Sequence, residues 1–143
     1  MNKKYLNDDN IKGYLLDIIR QMASDQYKPD IVIGLVRGGS LLANYVSQFY
    51  DIPCYMYNKD TNIEVDLEKY TNVLVIDDIN DSGKALTNIN NLLYEHPSIK
   101  YATLISNEIS CFEVDYTSCI INRLDNSDWF VFPWENWWNT NHD

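Results

Sequence analysis

The chain has 143 residues, close to the size of one ordinary domain, and its 45% apolar and 13% aromatic content supplies a core and excludes a disordered segment. Eleven Lys and Arg against 21 Asp and Glu give a net charge of −10, which repels phosphate backbones and anionic lipid and argues against a general nucleic-acid or membrane-surface binder. Residues 1–143 are therefore read as a single domain.

Between Asn10 and Met22, the residues Ile11, Tyr14, Leu15, Ile18, Ile19 and Met22 recur at i, i+3, i+4, i+7, which predicts an amphipathic helix with cap candidates at Asn7 to Asp9. Pro29 and Asp30 interrupt that pattern, and residues 31–35 (IVIGL) form the short continuous apolar run of a strand buried on both faces. The run ends at Val36-Arg37-Gly38-Gly39-Ser40, after which Leu41, Leu42, Tyr45, Val46 and Phe49 mark a second helix and Pro53 opens a strand through Tyr57. Residues 58–72 are polar and aperiodic, a long loop or weak hairpin of the kind that often carries function. Val73 to Ile76 is the next buried strand, and it runs into Asp77-Asp78-Ile79-Asn80-Asp81-Ser82-Gly83-Lys84-Ala85, followed by a helix marked by Leu86, Ile89, Leu92 and Leu93. Tyr101 to Ser106 and Val114 to Asn122 read as two more strands, and the tail from Trp129 to Trp138 holds all four tryptophans. Strands alternating with helices predict an α/β fold, a mostly parallel sheet with helices on both faces, whose ligands bind at the carboxyl ends of strands. Both unusual loops leave such ends, so they converge on one rim.

Cys54, Cys111 and Cys119 have no C-x-x-C spacing, and His96 and His142 have no partners nearby in sequence, so neither a disulfide framework nor a zinc site is expected. No stretch approaches the ~18 apolar residues of a membrane span, and the expectation is a reduced, cytoplasmic protein without a membrane partner.

Asp77, Asp78 and Asp81 repel one another unless a cation or a hydroxyl-rich ligand lies among them. An acidic cluster of this kind is most often a solvated turn, with Asp81 or Ser82 as a helix cap. Here, however, Asp81-Ser82-Gly83-Lys84-Ala85 leads into a helix N-terminus with a glycine, a hydroxyl and a lysine together, which describes a phosphate cradle. Neither G-x-x-x-x-G-K-[ST] nor G-x-G-x-x-G is present. An acidic chain can grip a polyphosphate locally where Mg²⁺ screens it and main-chain N–H groups hold it.

The segment Val73-Leu74-Val75-Ile76-Asp77-Asp78-Ile79-Asn80-Asp81-Ser82-Gly83-Lys84 closely resembles the phosphoribosyl pyrophosphate (PRPP) motif of type I phosphoribosyltransferases. The resemblance implies that Asp77 and Asp78 bind the ribose hydroxyls and help hold Mg²⁺, that Asp81, Ser82, Gly83, Lys84 and Ala85 wrap the 5′-phosphate, and that Asp81 matches the catalytic acidic position. Arg37, Gly38 and Gly39 occupy the place of the family's pyrophosphate loop, which in relatives can carry a strained peptide. The sequence leaves open whether Arg37–Gly38 is cis. The tail Asp128-Trp129-Phe130-Val131-Phe132-Pro133-Trp134-Glu135 resembles the ending of microbial xanthine-guanine and related purine enzymes. In those, an aromatic at the Trp129 position stacks on the base and main chain around Phe130 reads its edge, beneath a small C-terminal hood. Trp134, Trp137 and Trp138 are expected in core packing or a subunit interface.

The chain departs from the family pattern at three places. Ala85 stands where threonine is common, Ser82 replaces a more usual threonine, and Ser106-Asn107-Glu108 lacks the lysine that meets the base O6, which leaves Asn107 as the nearest candidate for that role. Lys59 is assigned to the pyrophosphate on position alone. The resemblance thus implies a Mg²⁺-dependent enzyme that transfers the phosphoribosyl group of PRPP to a purine base, most simply a 6-oxopurine, as a homodimer or higher oligomer. The alternative is a catalytically silent PRPP-binding regulatory protein.

Overall fold

The computed structural model describes residues 2–60 and 63–139; His142 lies outside them. Helix α1 spans Asp8–Ser24, starting three residues before the apolar stripe and ending two after it. Its start is set by a reciprocal cap, in which the Asn10 amide donates to the Asn7 side chain at 2.8 Å and the Asn7 amide donates back to Asn10 at 2.9 Å. Strand β2, Ile31–Leu35, is buried at every position, as a strand covered on both faces must be. Helix α2 spans Gly38–Tyr50, beginning two residues before Ser40 because both glycines join its first turn. Strands β3 (Cys54–Tyr57), β4 (Val73–Asn80), β5 (Ile99–Asn107) and β6 (Tyr116–Ile121), with helix α3 at Lys84–Leu93, complete the alternation.

The five long strands form one sheet in the order β3-β2-β4-β5-β6, and every pairing is parallel. One face packs Ile18 and Met22 of α1 and Leu42 and Val46 of α2 against Val32, Leu74, Ile76 and Leu104. The other packs Leu86, Ile89 and Leu93 of α3 against Ile31, Ile33, Val73 and Val75. The alternating residues of β2 and β4 thus divide between two apolar layers, and both strands read as continuous apolar runs for that reason. The predicted doubly covered α/β sheet is what the chain forms.

Three features were not legible as elements. β4 continues through Asp77, Asp78 and Ile79 to Asn80, because its partner β5 remains paired with it as far as Ser106. Residues 58–72 contain one short 3₁₀ turn, Leu67–Lys69, and the Asp30 carboxylate ties the end of this segment to the start of β2 by accepting from the amides of Thr71 at 2.8 Å and Asn72 at 2.7 Å. Finally, the two chain ends meet in a parallel ribbon of β1 (Lys3–Tyr5) and β7 (Trp129–Val131). The hood is therefore built from the N-terminal segment as well as the C-terminal one. Among the described residues no helix is long and apolar enough to cross a membrane.

Gly34 sets how closely α2 lies on the sheet. A Cβ there would run into the Gly39 carbonyl and stand 2.7 Å from the Ala43 Cβ, so the first turn of α2 rests directly on the β2 backbone. Gly34→Ala should therefore cost about 1–3 kcal/mol, the range for overpacking a closed contact, read as a lower urea midpoint with an unchanged denaturant slope.

Candidate active site

The carboxyl ends of β2 and β4 are adjacent, and they bring Asp77 and Asp78 against the Arg37 turn. The cleft there has a volume of about 690 Å³ and is lined by Arg37, Gly38, Leu41, Asp77, Asp78, Trp134, Glu135 and Trp138. The Asp78 amide donates to the Asp77 carboxylate at 2.9 Å, and the Ile79 amide donates to Asp78 at 2.8 Å. The Gly39 main-chain N–H also faces Asp77 and the Trp134 indole faces Asp78, and each favours the charged form of its carboxyl. Burial, and then the neighbouring Asp78, push the Asp77 carboxyl up to about 8. Burial likewise raises Asp78, and burial followed by the Asp78 charge raises Glu135. Two carboxylates withdrawn from water side by side compete for one proton until a cation arrives between them.

Both glycines of the Arg37 turn are required by this closeness. A Cβ on Gly38 would collide with the Asp78 carboxylate, and one on Gly39 would come within 2.5 Å of the Ile76 carbonyl oxygen. The cis peptide in this turn is Val36–Arg37, one bond earlier than the Arg37–Gly38 bond the sequence raised. Trp134 packs against the core, as expected of it, and also lines the cleft: it stacks on Phe132 with centroids 5.1 Å apart, with its indole toward Asp78. Trp138 lines the cleft as well, whereas Trp137 is exposed and meets Trp138 edge-on.

Beyond the acidic pair, Asp81 to Ala85 curl into the start of α3. Gly83 has φ +90°, a left-handed conformation, and no side chain caps the helix at this position. The Lys84 amide donates to Ser82 Oγ at 3.3 Å, and the amides of this first turn carry the positive end of the helix dipole, which suits an anion. The turn is held from behind. Cys111 donates its amide to the Ser82 carbonyl at 3.0 Å, and buried Asn80 donates to Ser110 Oγ at 2.9 Å and to the Phe112 carbonyl at 2.7 Å. A small hollow of about 120 Å³ is lined by Ile79 to Leu86 alone.

Asp81 is exposed, and its two oxygens accept from Arg123, at 2.9 Å from Nε and 3.0 Å from Nη2. Sequence reasoning did not find Arg123, a single cation in a polar turn with no motif around it. Asn107 is corrected. It is buried, its NH₂ donates to the Asp81 carbonyl at 2.9 Å and its oxygen accepts from the Arg123 amide at 3.1 Å, so the side chain braces two loops instead of meeting a base. Lys59 stands exposed after β3 and is not among the residues lining the cleft.

Trp129 is half-exposed on β7, and Phe130 is buried beneath the Arg123 guanidinium. The Trp129 amide donates to the Asn2 carbonyl at 2.7 Å and the Val131 carbonyl accepts from the Leu6 amide at 2.9 Å. Main-chain groups alternate along a strand, so the N–H and C=O of Phe130 point to the opposite edge.

The phosphoribosyl transferase domain family matches residues 2–139, which takes in every element described. The chain belongs to the phosphoribosyl transferase domain family. The enzyme superposes on a purine phosphoribosyltransferase from Pyrococcus horikoshii with a TM-score of 0.80 and 26% identity, over 95% of this chain and 96% of that one. It shares its fold with a xanthine-guanine-hypoxanthine phosphoribosyltransferase from Helicobacter pylori (TM-score 0.80, 22% identity, 94% and 95% covered). A Neisseria gonorrhoeae protein solved with bound ppGpp also has this fold (TM-score 0.72, 20% identity, 94% and 89% covered). The curated proteins contain no match.

Among the described residues of this phosphoribosyltransferase, no group of three His, Cys, Asp or Glu side chains is placed to hold a metal by itself. Two buried carboxylates without a third protein ligand suit Mg²⁺ that takes its remaining ligands from substrate oxygens and water.

The acidic pair makes stability pH-dependent. Asp77 keeps its proton to about 8, whereas an aspartate in the unfolded chain loses it near 3.9. Between those values the native state binds more protons than the unfolded state, so this group's effect lowers stability as pH rises through the window. Asp77→Asn should raise the Tm of the ligand-free phosphoribosyltransferase, more at pH 8 than at pH 5, in differential scanning calorimetry.

At the turn into α3, a Cβ on Gly83 would lie 2.8 Å from the Phe112 amide nitrogen at a φ that disfavours side chains. Gly83→Ala should cost about 1–3 kcal/mol of stability, read as a lower urea midpoint.

Proposed function

We propose that the protein transfers the phosphoribosyl group of PRPP to a 6-oxopurine, forming a nucleoside 5′-monophosphate and pyrophosphate, with Mg²⁺ entering alongside PRPP. The observation that carries this reading is the convergence, on one sheet edge, of the buried Asp77–Asp78 pair, the glycine turn at Arg37 and the α3 start at Gly83. The family and the purine enzyme from Pyrococcus support it.

In this mechanism the amides of residues 82–85, with Lys84, bind the 5′-phosphate and anchor the ribose, while Asp77 and Asp78 accept from its hydroxyls. When bound, Mg²⁺ held by Asp77 and Asp78 supplies positive charge opposite the pyrophosphate. The Arg37 side chain and the main chain of the glycine turn receive that pyrophosphate. A base nitrogen attacks the ribose C1 as the C1–O bond breaks, and the electron pair leaves with pyrophosphate. Trp129 provides the stacking face, and the outward main chain of Phe130 reads the base edge, its N–H opposite a 6-oxo oxygen. Asp81 accepts from the base N–H that becomes acidic as the new bond forms. Orientation of two bound reactants supplies much of the acceleration, and no covalent protein nucleophile is required.

This reading includes a homo-oligomer acting in the cytoplasm. Leu41, Tyr45 and Phe49 form an exposed apolar stripe on α2 suited to a second copy, and all three cysteines are free thiols.

The test is a base panel with PRPP and Mg²⁺, monitored by pyrophosphate release. Hypoxanthine, guanine or xanthine should release it, adenine more slowly. Asp81→Asn should lower kcat by about 10²-fold or more while PRPP affinity changes little. Saturable PRPP binding without release for any base would overturn the reading in favour of a silent PRPP-binding protein.

A further inference from the structure

Arg123 holds together two segments that belong to different halves of the site. Its Nε and Nη2 grip both oxygens of Asp81 at 2.9 and 3.0 Å, across 42 positions of sequence. Its Nη1 donates to the main-chain carbonyls of Asp128 at 2.7 Å and Asn126 at 3.3 Å, immediately before Trp129, and its guanidinium carbon lies 5.6 Å from the centre of the Phe130 ring. The same gap is bridged a second time through Asn107, which joins the Asp81 carbonyl to the Arg123 amide. Asp81 is thus fixed at its main chain and its side chain by one closed circuit. A planar fork that meets a carboxylate with two nitrogens and carbonyls with the third is specific to arginine; a lysine ammonium cannot reproduce it. The Arg123 side chain is 20% exposed and that of Asp81 50%, so water screens the charge pair, and the clamp rests on its fork geometry and on the main-chain carbonyls of Asn126 and Asp128.

We propose that Arg123 is a positioning residue that couples the phosphate turn to the base-facing wall, so that occupancy of residues 81–85 orders Asp128 to Phe130 through the Asp81–Arg123 clamp. The direction of effect rests on the transfer reading above, in which PRPP occupies the turn and the base lies against Trp129. Binding the first substrate then completes the wall for the second, and the cost of ordering that wall is met before the base arrives.

Amide hydrogen exchange on the full chain, with and without Mg²⁺ and PRPP, tests the clamp in the native protein, Arg123→Met and Arg123→Lys. Without ligand, amides of residues 125–131 should exchange about tenfold or more faster in Arg123→Met, with those of β2, β4 and β5 unchanged. With PRPP, the native protein should slow exchange at both 81–87 and 125–131, whereas Arg123→Met should slow it at 81–87 only, and Arg123→Lys should not restore the second effect. Equal ligand-free exchange at 125–131 in native and Arg123→Met protein overturns the proposal whether or not PRPP binds, and a general acceleration through the core strands overturns it in favour of a folding role.

Kinetics supply the second readout. Arg123→Met should raise the base KM about tenfold and the PRPP KM less than about twofold, and in an Asp81→Asn background, where only its contacts to Asn126, Asp128 and Phe130 are left to lose, its effect on kcat/KM for the base should be clearly smaller. An equal loss in both backgrounds overturns action through Asp81. If no base is turned over by the native protein, the transfer reading fails, and the ligand-free exchange still decides the clamp.

Discussion

Two adjacent carboxylates buried at the end of the central strand constrain everything around them. Asp77 and Asp78 sit where β4 outruns its apolar core, and their withdrawal from water raises both. Such a pair is tolerated only with donors pressed close, and the structure supplies them from three directions: the strand's own amides, the Gly39 N–H and the Trp134 indole. The first turn of α2 must therefore lie on the strand without side chains of its own, which accounts for Gly38, Gly39 and, one layer below, Gly34. The same desolvation that penalises two like charges side by side would strengthen the pair's attraction for a cation placed between them.

The rest of the rim is arranged to keep that strand end open on one side and supported on the other. Behind the phosphate turn, Asn80 and the Ser110–Phe112 turn form a hydrogen-bonded floor, so the left-handed Gly83 is held against main chain instead of floating in solvent. Ahead of it, the ribbon of β1 and β7 carries the hood. Its pairing uses the Trp129 and Val131 main chain and leaves that of Phe130 facing away from β1. A ribbon of two three-residue strands has little stability alone; Lys4 over the Phe130 ring joins its two strands, while Arg123 over the same ring and the packing of Phe130, Phe132 and Trp134 on the core tie it to the larger body.

Much of the site was legible because its parts are local. Asp77, Asp78, Asp81 and the Ser82-Gly83-Lys84 turn lie in one short run, so the acid pair and the glycine turn that opens α3 are written in their order. Trp134 packs against the core as aromatic tails most often do, but its second role, lining the cleft beside Asp78, depends on a stack with Phe132 that spacing does not reveal. Asn107 was assigned by its place after β5. The fold instead turns its amide onto the Asp81 carbonyl and the Arg123 amide, a contact between the ends of three separate segments.

The amino-acid sequence by itself determined the alternation of buried strands and amphipathic helices, the parallel sheet that follows from it, and the place of the acidic pair and of the glycine turn after it. Each of these arises from periodicity or from neighbours within a few residues, where side-chain chemistry and backbone preference act directly. The tertiary structure alone decided that the two chain ends pair, that β4 extends through its acidic pair, that Trp134 enters the cleft and that Arg123 grips Asp81. These depend on which strands become neighbours, and a contact across 42 positions leaves no local pattern, because its partners are brought together by the sheet between them.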